Sequence, residues 1–336
     1  MARLILTTSG AGTPDLAEAN PTDAVLSFDQ PFGRRFVWGP LLSSEELASF
    51  LAPRSAKHDE IGSHWLDMVV PRSREKLEGQ DYGLIELCER FESVELWADP
   101  DPNAQLELVW LLDYLRPHQE ITSKLIFCQS EIAMAGLLPN RLAGWRPRWC
   151  SEITRDHLEI ASLVWEAYRA TTPQACFELL DTSLRPLPRL TAGVRALLEE
   201  LPGRATGLGA TQMRMLELLW EGYLNPIALF PHHPHQNRKV FSFFEAGSLL
   251  DELAYCPAPA VSGFGVEPLE RMDNYRARQE RYIRSRLALT PLGKAIEARR
   301  DDFSRHNPIH RWWGGTELTN DRLWRWDAEQ RALIAP

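Results

Sequence analysis

Between residues 3 and 128 short β-rich runs alternate with helical stretches, and this rhythm constrains the fold more tightly than any other feature. Residues 3–8 form an apolar, β-rich run that predicts a buried strand and leads into Ser9-Gly10-Ala11-Gly12. A helical stretch starts at Pro14, and Ala24 to Phe28 reads as a second strand ending at Asp29. Ser43 and Glu46 have the spacing of a capping box and open a helix to Phe50. Residues 58–91 read as helical with a break near Pro71, and Ser93 to Trp97 is a third strand. Leu108, Leu111, Leu112 and Leu115 then fall on one helical face, off which Glu107 and Asp113 lie; Pro117 ends that helix. Lys124 to Cys128 is a fourth strand. Such alternation predicts a mostly parallel, Rossmann-like sheet with helices on both faces.

The rhythm changes afterwards. Helices are expected at about 155–171, 173–181 and 190–200, bridging to a different kind of domain. From residue 207 the expected order is a helix at Thr211–Tyr223, a short one at Asn225–Phe230 and a third at Ser242–Tyr255. Two short strands follow at Pro259–Phe264 and Arg286–Leu289. Thr290-Pro291 then caps and opens a last helix to about His306. Three helices, a two-stranded wing and a closing helix match a winged-helix-like α+β domain. The organisation expected is therefore 1–150 α/β, 151–206 helical bridge and 207–336 winged-helix-like, the last ending in a Trp-rich hairpin. Its strands would be Arg311–Gly315 and Trp324–Asp327.

Composition narrows the setting. The apolar stretch at Leu4–Leu6 is too short for a signal peptide, and no run has the length of a membrane span, so a cytoplasmic protein with no membrane partner is expected. Five cysteines with no CxxC spacing predict separate, reduced, mostly buried thiols. Net charge is −9, and it is uneven: residues 1–206 hold 20 basic and 30 acidic side chains, and residues 207–336 hold 17 and 16. The first part would repel nucleic acid, and the second would need a local patch to bind it.

The chain resembles a bacterial family known as domain of unknown function 1835. The resemblance is carried by VELWADPDPNAQLELVWLLDYL at 94–115, where Asp101, Gln105, Leu106 and Leu108 fit the family's pattern. Asp99 stands where a Glu is usual, Pro100 where a His is usual and Ala104 where a second Asp is usual. Asn307, Ile309, Arg311, Trp312, Gly314 and Gly315, the closing Trp324-Arg325-Trp326-Asp327, and Leu289-Thr290-Pro291-Leu292-Gly293 also fit. Asp29 and Gly39-Pro40 match more weakly, and Ser9 alone matches the family's segment after the first strand. The resemblance implies no particular activity.

Several constellations have the residue types for chemistry. Ser9, Asp29 and Asp99 fall at or just past strand ends, which converge on the usual ligand crevice of an open parallel sheet, with Asp101 and Gln105 nearby. Asp99 and Asp101 can act as acid and base, or hold a divalent cation; the plainer and favoured alternative is that they cap the following helix. Backbone amides at Ser9 and Gly10 can hold a phosphate, although the loop lacks a third glycine and a Walker lysine, and a simple turn is the favoured reading. His232-His233-Pro234-His235 lacks metal-ligand spacing, so no metal site is expected. The helix Ser242–Tyr255 carries Glu245, Asp251 and Glu252 and no basic residue, which disfavours DNA reading. Arg276, Arg278 and Arg281 are the one group suited to a nucleic-acid backbone, diluted by Glu270, Asp273 and Glu280. Arg311, beside a Gly-Gly turn, can face an anionic ligand.

The leading expectation is a non-catalytic interaction or ligand-sensing protein, open to a small polar or phosphorylated ligand and to a protein partner, with the cofactor question left open. An enzyme using Asp99 and Asp101 is the alternative, and a DNA-binding regulator is the third reading.

Overall fold

The computed structural model describes residues 3–8, 13–20, 22–27, 41–58, 63–67, 77, 81–134, 145–230, 240–265, 280 and 284–336, excepting the side chains at 19, 243 and 244. These residues fall into two compact units. The first runs to Arg169 and takes back Asp181–Gly193; the second holds Ala170–Leu180 and Val194–Pro336. Residues 151–206 are thus divided between the units instead of standing as a separate bridge.

The first unit contains β1 (Leu4–Thr7), α1 (Thr13–Ala19), β2 (Ala24–Ser27), α2 (Ser44–Leu51), α3 (Leu84–Glu89), β3 (Val94–Ala98), α4 (Pro102–Leu115), α5 (Gln119–Thr122), β4 (Leu125–Gln129), β5 (Trp149–Glu152) and α6 (Arg155–Tyr168). Its five strands lie in the order β2-β1-β3-β4-β5; the first four are parallel and β5 is antiparallel to β4. The parallel strands are apolar on both faces because both are covered. On one face Ile5, Val25, Trp97 and Cys128 pack with Leu16 and Ala17 of α1 and with Met134. On the other, Leu6, Leu96 and Ala98 meet Leu108 and Leu111 of α4.

Helix α4 is buried almost all round, because α6 covers the side that the sheet leaves open. Ser162 of α6 donates a hydrogen bond to Asp113 of α4 across that contact. This changes the reading of Glu107: it lies off the leucine stripe yet is 1% exposed.

Two expectations for this unit need correction. Among the described residues of 58–91, only a 3-10 turn at Trp65–Asp67 and α3 are helical. Side chains there instead tie the segment to the end of α2 and to Tyr82. The Nε2 groups of His58 and His64 donate to the carbonyls of Ser49 and Ala52, both at 2.9 Å, and Trp65 Nε1 donates to Tyr82 O at 2.9 Å. Burial, the largest cause, holds the His64 pKa below its ordinary value and so favours neutral imidazole.

The second correction concerns the cysteines. Cys128 and Cys150 are opposite each other in the β4–β5 register and form a disulfide. Strand β5 was not expected, so nothing in the spacing brought the two together. Cys88, Cys176 and Cys256 are free, and burial pushes the Cys88 and Cys176 thiols up to about 12, leaving them protonated and inert.

The second unit contains α7 (Gln174–Glu178), the end of α8 (Leu190–Leu198), α9 (Ala210–Trp220), a 3-10 turn at Pro226–Leu229, α10 (Phe243–Ala254), β6 (Val261–Ser262), β7 (Ala288–Leu289) and α11 (Pro291–Glu297). It closes with β8 (His310–Trp313), β9 (Thr316–Thr319), β10 (Arg325–Asp327) and β11 (Ala332–Ile334). Strands β6 and β7 pair antiparallel. Helix α11 shows why its opening sequence reads Thr-Pro-Leu-Gly. Thr290 Oγ1 accepts from Gly293 N–H at 3.0 Å and donates to Pro259 O at 2.7 Å. A Cβ at Gly293 would lie 2.0 Å from the Ala260 carbonyl oxygen, so only glycine lets the helix approach the strand.

The helix ends at Glu297, short of the expected His306, because Arg299 turns into left-handed backbone at φ 56°. The expected terminal hairpin is also corrected. Arg311–Trp313 pairs with Thr316–Thr319 across a turn at Gly314-Gly315, and Trp326 pairs with Leu333, so each tryptophan segment belongs to its own hairpin. Gly314 has φ 55°, which the tight turn requires.

Candidate functional site

In a parallel sheet of this order, β1 has β2 on one side and β3 on the other, so the chain switches direction of growth between β1 and β3. Ligands of such sheets bind at the carboxyl ends of the strands beside that switch. Here those ends are Thr7-Thr8, Ala98-Asp99 and, one strand further, Gln129-Ser130. Ser9, Gly10 and Asp29 lie outside the described residues.

The remaining expected residues are placed as follows. Asp101 is the N-cap of α4: its carboxylate accepts from Ala104 N–H at 3.0 Å, and Pro102 fills the first helical position, where no N–H is needed. This is the capping alternative. Asp99 does not share that role. It is 4% exposed, and its Oδ1 accepts from Met134 N–H at 2.9 Å, holding the segment after β4 against the end of β3. Its own N–H donates to Thr8 Oγ1 at 3.0 Å, linking the ends of β1 and β3.

Gln105, fully buried in the first turns of α4, joins the same set. Its Nε2 donates to Asp99 O at 2.8 Å and to Gln129 Oε1 at 3.2 Å. Gln129 Nε2 in turn donates to Ala98 O and Ser130 O, each at 3.0 Å. The strand ends are therefore tied by a buried amide network into which Gln105 and Asp99 are built, while Asp101 caps α4 beside it. Backbone amides hold both carboxylates in place, which strengthens the scaffold.

Glu107 was not among the expected site residues, yet it lines a small cavity of about 10 Å³ with Thr7, Thr8 and Leu111, between the switch point and α4. That volume is about one water. Its Oε1 accepts from Asn103 Nδ2 at 2.9 Å. The one sequence sign of it is the Asn103–Glu107 spacing of four along a helix.

Arg311 needs correction as an anion contact. Its Nη1 donates to Gln212 Oε1 and its Nη2 to Glu200 O, both at 3.2 Å, so it fastens β8 to α9 and the end of α8. Gln212 also donates to Glu252 of α10 at 3.1 Å. Arg276, Arg278, Arg281 and the histidines at 232, 233 and 235 lie outside the described residues. Among the described residues, no three His, Cys, Asp or Glu side chains come together as a metal ion would require, and no helix is long and apolar enough to cross a membrane.

No protein-family model matches this chain, and no curated protein matches it in sequence.

The cap makes a direct prediction. Asp101→Ala lowers unfolding free energy by about 1 kcal/mol, within the usual range of about 0.5–2, and Asp101→Asn restores most of it. Urea denaturation measures both. An unchanged midpoint for Asp101→Ala would remove the capping role.

Proposed function

We propose that the protein is a non-catalytic, cytoplasmic ligand-sensing or interaction protein. Its first unit would take a small polar or phosphorylated molecule at the β1/β3 strand ends. One observation carries the reading: the carboxylates of Asp99 and Asp101 are both engaged by backbone amides, so the acids that suggested catalysis serve the scaffold of a ligand crevice. The resemblance to domain of unknown function 1835 belongs to the same reading and adds no reaction to it.

The second unit is read as a winged helix used for protein contact and packing. The order α9, 3-10 turn, α10, β6, β7, α11 supports it. Helix α10 would be the reading helix, and its acids face inward: Glu245 is 1% exposed and reciprocally caps the helix with Ser242, and Glu252 meets Gln212. That chemistry suits packing and not a phosphate backbone. Trp220, 62% exposed at the end of α9, is the kind of anchor that protein interfaces use.

The test is to denature natively purified protein, identify released small molecules by mass spectrometry, and titrate the intact chain with ribose 5-phosphate by calorimetry. A released or titrated ligand without turnover is expected. Absence of both overturns the reading. Turnover lost in Asp99→Asn would favour the enzyme alternative instead, in which Asp99 and Asp101 carry the chemistry. A shifted duplex at low salt would favour the DNA reading.

A further inference from the structure

Strand β5 is an outer strand of the first unit's sheet and pairs only with β4 among the described residues. An outer strand carries a row of backbone groups that a further strand can complete. The β4–β5 ladder fixes which groups these are. Ile153 N–H donates to Leu125 O at 3.1 Å. Antiparallel pairing alternates, so Ser151 and Trp149 also turn their amides toward β4, while Cys150 and Glu152 turn theirs outward. The 4.1 Å Cα separation of Cys128 and Cys150 agrees, being that of an opposed pair with no hydrogen bond between them. Among the described residues nothing bonds the outward amide or carbonyl of Cys150 or Glu152.

The charges along this edge have a pattern. Arg148 and Glu152 stand two residues before and two residues after Cys150. Both are exposed, and neither forms an ion pair among the described residues. Nearby arginines are already paired, Arg146 with Glu95 and Arg155 with Glu159. If two copies of β5 pair antiparallel about Cys150, Arg148 of each copy falls opposite Glu152 of the other, on one face. Centred on Ser151, the same strands pair no charges; centred on Glu152, they set two glutamates against each other. The strand is thus complementary to itself in one register. Exposed apolar side chains flank it. Trp149 is 42% exposed, and Ile132, 50% exposed, lies with Arg148 and Glu131 in one surface depression.

We propose that the partner of this edge is a second copy of the chain. The two β5 strands pair antiparallel about Cys150, so that the five-stranded sheet of one copy continues into that of the other. Such an interface is isologous, with each copy giving Arg148 and receiving it at Glu152. Charge sets the register, and Trp149 and Ile132 supply apolar cover beside the seam. The surface is independent of the strand-end crevice.

Sedimentation equilibrium on the full chain tests it. The parent should weigh twice the 38.4 kDa of one chain at about 100 μM. Arg148→Glu opposes glutamates at both ends of the seam, and Glu152→Arg opposes arginines. Each variant alone should be monomeric, its dissociation constant raised at least about tenfold. An equal mixture of the two should recover the dimer, because every charge then meets its opposite. Both side chains are exposed, so each variant should keep the parental melting temperature, which separates lost association from lost folding. A monomeric parent, a variant that associates as the parent does, or a mixture that stays monomeric overturns the proposal.

Discussion

Replacing Glu95 with alanine should lower the unfolding free energy of the first unit by about 3 kcal/mol. Glu95 is 2% exposed in the central strand β3, among Ile5, Trp97 and Cys128 on the same face. A carboxylate in that place is tolerated because every side of it is met. Arg3 and Arg146 both pair with Oε1, and Trp97 Nε1 donates to Oε2 at 2.8 Å. Removing the acid leaves the buried indole N–H unsatisfied and opens a gap in the core, each costing about 1–3 kcal/mol.

The arginines lose less. Arg3 keeps Asp23 and Asn20 as partners, and Arg146 is 48% exposed and can turn to water. Hence Arg146→Ala should cost no more than about 1 kcal/mol, the usual worth of an exposed pair. Glu95→Gln, which keeps the shape and an acceptor for Trp97, should fall between the two. Denaturant midpoints of the three variants check the ranking, and an Arg146→Ala loss equal to that of Glu95→Ala would refute it.

The strands β1 to β4 were legible because each is a short apolar run, and a strand buried on both faces needs nothing subtler. β5 was not. Its sequence, Trp149-Cys150-Ser151-Glu152, lies at the sheet edge with exposed ends and no apolar alternation, so periodicity has nothing to register. With β5 unseen, Cys150 had no visible partner. The terminal hairpins failed for a related reason. The tryptophan segments drew attention, while their true partners, Thr316–Thr319 and Ala332–Ile334, carry plain β residues.

At the strand ends, Asp101 was readable as a cap because its partner is three residues away and a proline follows. Asp99 was not, since the amide it holds belongs to Met134, 35 residues on. Glu107 was placed off the apolar stripe, which was correct for one helix alone. Its burial depends on the second cover, α6, and a single helix pattern does not contain that information.

Reducing the Cys128–Cys150 disulfide should cost the first unit about 3 kcal/mol, from the chain entropy released when a loop of this length opens in the unfolded state. The bond joins residues 22 apart in sequence, and β5 is otherwise tied to the sheet through β4 alone. Cys128 is fully buried in the core cluster, so the bond also fixes where the edge strand meets the core. Trp149, 42% exposed and edge-on to Phe127 at 5.3 Å, reports on that junction by fluorescence. In denaturant, protein oxidised in air after purification should hold three cysteines open to alkylation, Cys88, Cys176 and Cys256, and two that react only after reduction. Reductant should lower the melting temperature of the parent and leave that of Cys150→Ala unmoved. A reducing cytoplasm would keep the pair as two thiols. The sheet would then hold β5 by its hydrogen bonds alone, and the weaker, reduced protein would be the working form. Five cysteines alkylated in the oxidised protein, with a melting temperature indifferent to reductant, would mean that the bond does not form, and that the stability of the β4–β5 edge owes nothing to it.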